Sequence, residues 1–314
     1  MDPLVYLLDF IVFIGIFSIL SLSLNLEFGF AGLANFGKVA FVLVGAYSYY
    51  ILSEIGVPFY LCLILCALSS AIVGFLVSLP TLKLREDYLA IVVLSFGEIL
   101  KLIVKSEGWI AGGVWGTPVS PAITIDGVSS RVDALVNIGL VYFCLSICLI
   151  MAHFLMNSPY GRVIRAIRED EIAAEALGKN RARYRAQIFA LGSAMAGLGG
   201  GLYAQYIQFI DPYMFVPMLT FTVWIMVLVG GPGNNWGAIL GAGLVTFFDR
   251  GANIAKDYLT LPIDPSNLQY IIYGVLIILV LLYRPQGLVK ESHVKTKALD
   301  RVSHERTTVE IRRS

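Results

Sequence analysis

Three histidines, four cysteines and twenty-two acids are the residues of this chain whose types could carry chemistry, and their spacing decides what they can do. His153, His293 and His304 are scattered, and no HExxH, GxSxG, P-loop or paired intramembrane carboxylate is present. The chain therefore shows no catalytic signature and no means of using ATP by itself. Cys62 and Cys66, like Cys144 and Cys148, are spaced i,i+4 inside apolar runs with no further polar ligand nearby. They read as small hydrophobes in helices, and no metal site is expected. Glu98 and Lys101 fall on one helical face and can pair. The pair reads as a helix nearing the membrane interface, with Lys101 and Lys105 snorkelling, rather than as an ion path. His153, near a helix end, reads as structural.

The densest polar chemistry lies in residues 157–185, NSPYGRVIRAIREDEIAAEALGKNRARYR. Arg162, Arg165 and Arg168 recur every three residues as a basic stripe; Glu169, Asp170 and Glu171 follow. AAEAL is a strong helix former and Gly178 a natural helix stop. The segment predicts a short helix, ended by glycine, lying across a membrane surface. Residue physics alone leaves two uses level: a positive-inside anchor, or a dock for a soluble partner.

The elements that must hold this segment are apolar. Hydrophobic residues make up 57% of the sequence and charged residues 14%, where a soluble domain carries about 25% charged. Mean hydropathy is +0.77, and the net charge of +1 says less than the placement of the charges. Spans are expected at 4–26, 39–52, 59–79, 88–104, 134–156, 186–207 and 268–283. Residues 218–250 hold two short apolar runs around VGGPGNNWG, either two short spans or a re-entrant pair of broken helices. The start, MDPLVYLLDFIV, lacks a basic n-region and reads as a first span rather than a cleaved leader. The fold class is thus all-α: a polytopic bundle of about eight or nine spans. Residues 1–288 form the membrane domain, with 157–185 as its polar loop, and 289–314 a polar tail read as partly disordered.

Orientation follows from the Lys/Arg asymmetry. The loop carries seven basic residues and the chain from Arg284 onward eight, together 15 of 23. Both are expected in the cytoplasm, and an even number of crossings separates them. The basic turn with Lys83 and Arg85 falls on the same side, while residues 105–133 and the N-terminus fall outside. Asp249 and Arg250 read as end anchors of the 236–250 run. Glu27 and Lys38 bound a glycine-rich stretch whose Gly29, Gly32 and Gly37 weakly mirror Gly230, Gly231, Gly233 and Gly237. Such clusters allow either a helix broken where it lines a cavity or close helix packing alone.

Five stretches carry a resemblance. GRVIRAIREDEIAAEALGKN (161–180) closely resembles the cytoplasmic loop of the LivM-type permeases of ABC importers for branched-chain amino acids. LSLNLEFGFAGLANFGKVAFVLVGAY (22–47), GGVWGTP (112–118), GGPGNNWGAILGA (230–242) and YRPQGL (283–288) resemble further motifs of that family, in order. The resemblance implies that the loop is a coupling helix docking into a groove on an ATPase subunit. Glu171, Ala173, Ala174 and Gly178 would fall in its motif, with Arg162, Arg165, Arg168 and Asp170 around it. Glu171 to Gly178 spans seven residues, the spacing of the LivM branch rather than the six of the generic motif.

It further implies a sister permease, two cytoplasmic ABC ATPases, an external (periplasmic) substrate-binding protein and membrane lipid as partners, with no nucleic acid. ATP would be used by the partner subunits, no cofactor would be bound by this chain, and the chain would sit in the cell's inner membrane. Pathway candidates are the polar positions Asn25, Asn35, Ser95, Gln205 and Asn234. VWGTP after Gly113 departs from relatives that carry a polar residue there, so urea and short-chain amides stand as alternative substrates. A stand-alone carrier or channel, which predicts a role for Glu98, and a sensor or scaffold with a docking loop are the competing classes.

Overall fold

A computed structural model of the chain describes residues 3–81, 86–121 and 130–258, then 273–275, 277–280, 282–284 and 286–291. The turn with Lys83 and Arg85, the start of the last expected span, His293, His304 and the tail from 292 lie outside the described residues. Ten α-helices are described among them: α1 (Pro3–Leu24), α2 (Lys38–Glu54), α3 (Phe59–Thr81), α4 (Glu86–Ser106), α5 (Ser130–Asn157), α6 (Pro159–Glu169), α7 (Glu171–Ala176), α8 (Arg181–Ile207), α9 (Pro217–Gly230) and α10 (Asn235–Tyr258). Residues 273–275, 277–280 and 282–283 are helical as well. Four helical stretches among the described residues are long and apolar enough to cross a membrane: Tyr6–Phe30, Phe59–Pro80, Val132–Asn157 and Pro212–Gly230.

α1 is the centre of the bundle. It is apolar on every side, and Val12, Ile16, Ile19, Leu20, Leu22 and Leu24 are all buried, as a helix surrounded by others must be. It packs against α5, α8, α9 and α10, while α2 and α3 pack on α8. The outer faces of α3, α4 and α5 present Ile64, Leu68, Ile72, Ile91, Ile99, Phe143, Ile147 and Phe154. Those residues suit lipid or a second membrane subunit rather than water. Where α2 crosses α8 the backbones nearly touch. A Cβ at Gly200 would overlap the carbonyl oxygen of Val42, and one at Gly45 the backbone of Gly197. Ser70 of α3 seals the same crossing by donating to the Phe41 carbonyl at 3.0 Å.

Two expectations change. The loop is two helices rather than one, because Asp170 leaves helical geometry (φ −150°, ψ 104°) and starts α7 anew. Asp249 and Arg250 do not end their helix, since α10 runs on to Tyr258. The Arg250 guanidinium instead lies 4.0 Å over the Phe13 ring, and Asp249 accepts from the Tyr273 hydroxyl at 3.0 Å. Glu27 and Lys38, which bound the glycine-rich stretch, are both fully buried. Glu27 lies in a widened π-helical turn, Asn25–Phe30, that continues α1. The two short runs of 218–250 form α9 and α10, packed on each other around the turn at 231–234.

At one end of the bundle a two-stranded antiparallel pairing joins Thr117–Pro118 to Phe209–Ile210. At the other, residues 286–291 return to the α9–α10 turn: Leu288 and Val289 donate their amides to the carbonyls of Val229 and Gly230 at 2.9 and 3.0 Å.

Candidate functional site

The charged loop is built as a platform. Ser158 caps α6 by accepting from the Tyr160 amide at 3.2 Å, and Pro159 occupies the first turn, where a missing N–H costs nothing. α6 buries Gly161, Ile164 and Ile167 against the bundle. The three arginines do not form one outward stripe. Arg162 is exposed. Arg168 turns inward, donating to the Gly29 carbonyl and to both Glu291 oxygens at 3.0 Å. Arg165 lies 5.2 Å over the Phe30 ring and 3.9 Å from Glu291. Burial draws the Arg165 guanidinium below its ordinary pKa, and the Glu291 carboxylate pulls it back up. Two of the expected partner-facing arginines thus tie the loop to α1 and to the start of the tail.

Asp170 caps α7 by accepting from the Ala173 amide at 2.9 Å. Glu171, the next residue, is ion-paired to both Arg181 and Arg185 at the start of α8. α7 therefore cannot move without pulling on α8. Ala174 packs inward, while Ile172 and Leu177 are 82% and 80% exposed.

Gly178 stops the helix as the sequence predicts. Its φ is +77°, its amide donates to Glu175 and the Lys179 amide to Ala174, a Schellman closure. No atom lies within 4 Å of where its Cβ would stand, so only backbone strain opposes substitution. Gly178→Val should destabilise the α7 end by about 1–2 kcal/mol, whereas Gly178→Asn, which tolerates this conformation, should cost less. Hydrogen exchange at the Leu177–Lys179 amides distinguishes the two; equal protection in both variants would contradict the capping account.

Below the platform lies a second polar layer. Lys38 Nζ is 2.8 Å from Glu27 Oε1, with both side chains fully enclosed, and Asn35 donates to the other Glu27 oxygen at 2.8 Å. Asn35 also closes the turn after α1 by accepting from Gly37 N at 3.0 Å. Beside it, Asn25 donates to Asn235 at 3.2 Å and accepts from the Gly233 amide at 2.9 Å. Asn234 caps α10 by accepting from the Trp236 and Gly237 amides, and it donates to the Lys290 carbonyl at 2.9 Å. The two glycine clusters meet here: a Cβ at Gly29 would collide with the Gly233 amide.

Of the five pathway candidates, Asn25, Asn35 and Asn234 thus gather at the platform end. Gln205 lies towards the opposite end of the bundle, donating to Asn137 at 2.8 Å. Ser95 is exposed on α4, apart from the rest. Sequence reasoning missed Glu27, Lys38 and Glu291. The signal for the first two was opposite charges flanking a glycine-rich break; for Glu291 no local pattern pointed inward. Glu98 and Lys101 pair at 2.9 Å, as the spacing predicts. The four cysteines are buried and unbridged, and no group of potential metal ligands occurs among the described residues.

Residues 6–281 match the family model described as branched-chain amino acid transport system, permease component. The chain is 33% identical to the probable branched-chain amino acid transport permease protein LivM of Methanocaldococcus jannaschii, over 91% of this chain and 94% of that one. It is 32% identical to the high-affinity branched-chain amino acid transport system permease protein LivM of Escherichia coli, over 90% of this chain and 69% of that one. A shorter likeness, 33% over 45% of this chain and 43% of the other, links it to the E. coli system's permease protein LivH. No solved structure matches.

Proposed function

The chain belongs to the permease-component family of branched-chain amino acid transport systems, and from that premise we propose how its parts divide the work. It is a multi-pass permease subunit of an ATP-driven importer of branched-chain amino acids, not an enzyme, and it supplies half of the translocation pathway. A sister permease supplies the other half. Two cytoplasmic ATPases use the ATP, and an external binding protein delivers the amino acid.

α7 is the coupling helix. The observation that carries this is the exposure of Ile172 and Leu177 on a short, capped helix in the most polar stretch of the chain. Two bare aliphatic side chains, in a segment that also exposes Arg162, Glu175, Lys179 and Arg183, suit a docked protein surface better than a solvated face. The basic loop and residues 286–291 meet at one end of the bundle, which supports a cytoplasmic platform, an external N-terminus and a cytoplasmic C-terminus. ATP-driven movement of the ATPases would displace α7. Glu171 would pass that movement to α8 through Arg181 and Arg185, and Arg168 to the end of α1 through Gly29. The bundle would then shift between inward- and outward-open states.

A double variant tests the dock. Ile172→Glu with Leu177→Glu should weaken ATPase association by about tenfold or more, while the thermal stability of the permease stays unchanged because neither side chain is buried. Co-purification of the ATPases and permease-stimulated ATP hydrolysis read the effect. Undiminished values of both would overturn the assignment of α7.

A further inference from the structure

The bundle end opposite the platform holds a cavity of about 420 Å³ between the starts of α1 and α5, the end of α8 and the later part of α10. That volume lies in the range of small-molecule sites, about 300–1,000 Å³. Its lining carries both signs of charge: Arg250 on one side, Asp9 and Asp133 on the others, with Asn137 and Tyr206 between them. The charges are not joined as a close ion pair. Among the described residues no carboxylate lies within ion-pair distance of Arg250, whose guanidinium instead sits over Phe13. Asp133 Oδ1 is buried with no hydrogen-bond partner. Behind Asn137, Gln205 is only 2% exposed, and its Oε1 is likewise unpartnered while its amide nitrogen holds the Asn137 oxygen. One Asp9 oxygen accepts the Tyr206 hydroxyl, which fixes the carboxylate in place. Phe10, Ala134 and Ile207 complete the wall with apolar surface.

Buried acceptors without donors, beside a guanidinium with no carboxylate in ion-pair contact, describe a half-finished set of bonds. A cation alone would leave Arg250 opposed, and an anion alone would face two carboxylates. A ligand carrying both signs on neighbouring atoms answers both the guanidinium and the carboxylates. We propose that this cavity binds a free zwitterionic α-amino acid. Its carboxylate would meet Arg250, its ammonium Asp133 and Asp9, and its apolar side chain the wall of Phe10, Ala134 and Ile207. The inference rests on the importer reading above and adds a site within this subunit where the amino acid is held at the outer mouth before it crosses.

The test uses the permease with its sister subunit in lipid nanodiscs, without binding protein or ATPases, and radiolabelled L-leucine as probe. Saturable binding is expected. L-Leucine methyl ester, which lacks the carboxylate charge, and 4-methylpentanoate, which lacks the ammonium, should each compete about tenfold or more less well than L-leucine. Arg250→Gln and Asp133→Asn should each weaken binding to a similar degree, and Phe10→Trp should fill the cavity and abolish it. Thermal midpoints establish that the variants are folded, and the three act from different helices, so failure of one to fold leaves the others decisive. Methyl ester binding as tightly as leucine with Arg250→Gln neutral would make this a cation site and overturn the proposal.

ATP-driven leucine uptake by the complete assembly is the second arm. Uptake without saturable binding overturns the cavity site and leaves the importer standing. Binding lost in the variants, with no uptake by the assembly, supports the site and removes the importer reading.

Discussion

Glu27→Ala lowers the stability of the bundle by about 3–5 kcal/mol, the cost of leaving a buried charge without its partner. Lys38 is fully enclosed and its ammonium has Glu27 at 2.8 Å, so removing the carboxylate strands a cation where no water reaches it. The damage extends further. Asn35 loses its acceptor, and Asn35 shapes the turn that leads from α1 into α2 through Gly37. Glu27 also fills the space beside Gly192, where a Cβ would collide with it, so its loss opens a gap against α8. Glu27→Ala combined with Lys38→Met removes both charges and should recover part of the loss. Unfolding of the purified protein in detergent, followed by intrinsic fluorescence in a double-mutant cycle, reads the coupling. Additive losses in the two single variants would show that the pair contributes nothing as a pair.

Gly200→Val should prevent α2 and α8 from packing and so prevent recovery of a monodisperse protein. Overpacking inside a well-filled core typically costs about 1–3 kcal/mol because side chains shift to accommodate it. Here the obstacle is the carbonyl and Cα of Val42, which cannot rotate away, and α2 would have to separate from α8 along its length. Gly139→Val on α5 is the matched comparison: no atom stands within 4 Å of its Cβ position, and it should be neutral. Size-exclusion profiles of the two variants decide the matter. A monodisperse Gly200→Val protein with wild-type thermal midpoint would mean that the close crossing is not required.

Much of the architecture was legible because membrane helices announce themselves by length and apolarity. The runs at 59–79 and 134–156 became α3 and α5 nearly as read, and Gly178 stopped α7 because its backbone turn requires a left-handed residue. The break at Asp170 was harder. An acid between Glu169 and Glu171 looks like part of one charged helix, although Asp is also a strong N-cap. Charges at the edges of apolar runs were the least legible. Asp249 and Arg250 resemble interfacial anchors in sequence and Glu27 and Lys38 merely bound a glycine-rich stretch, yet Glu27 and Lys38 are fully enclosed and Asp249 and Arg250 partly buried once the helices pack. The same holds for Arg165 and Arg168, whose inward turn depends on Glu291, more than 120 residues further along the chain. Sequence spacing reports neighbours along a helix, whereas these contacts are made across it.

The most direct test of coupled import is uptake of radiolabelled L-leucine into proteoliposomes holding this permease with the partners proposed for it: a sister subunit, ATPases with ATP on their side of the membrane, and a binding protein on the substrate side. Accumulation should require ATP and every component, and it should collapse in Ile172→Glu/Leu177→Glu although the permease remains folded. Leucine uptake that continues at the same rate when the ATPases are omitted would contradict the account.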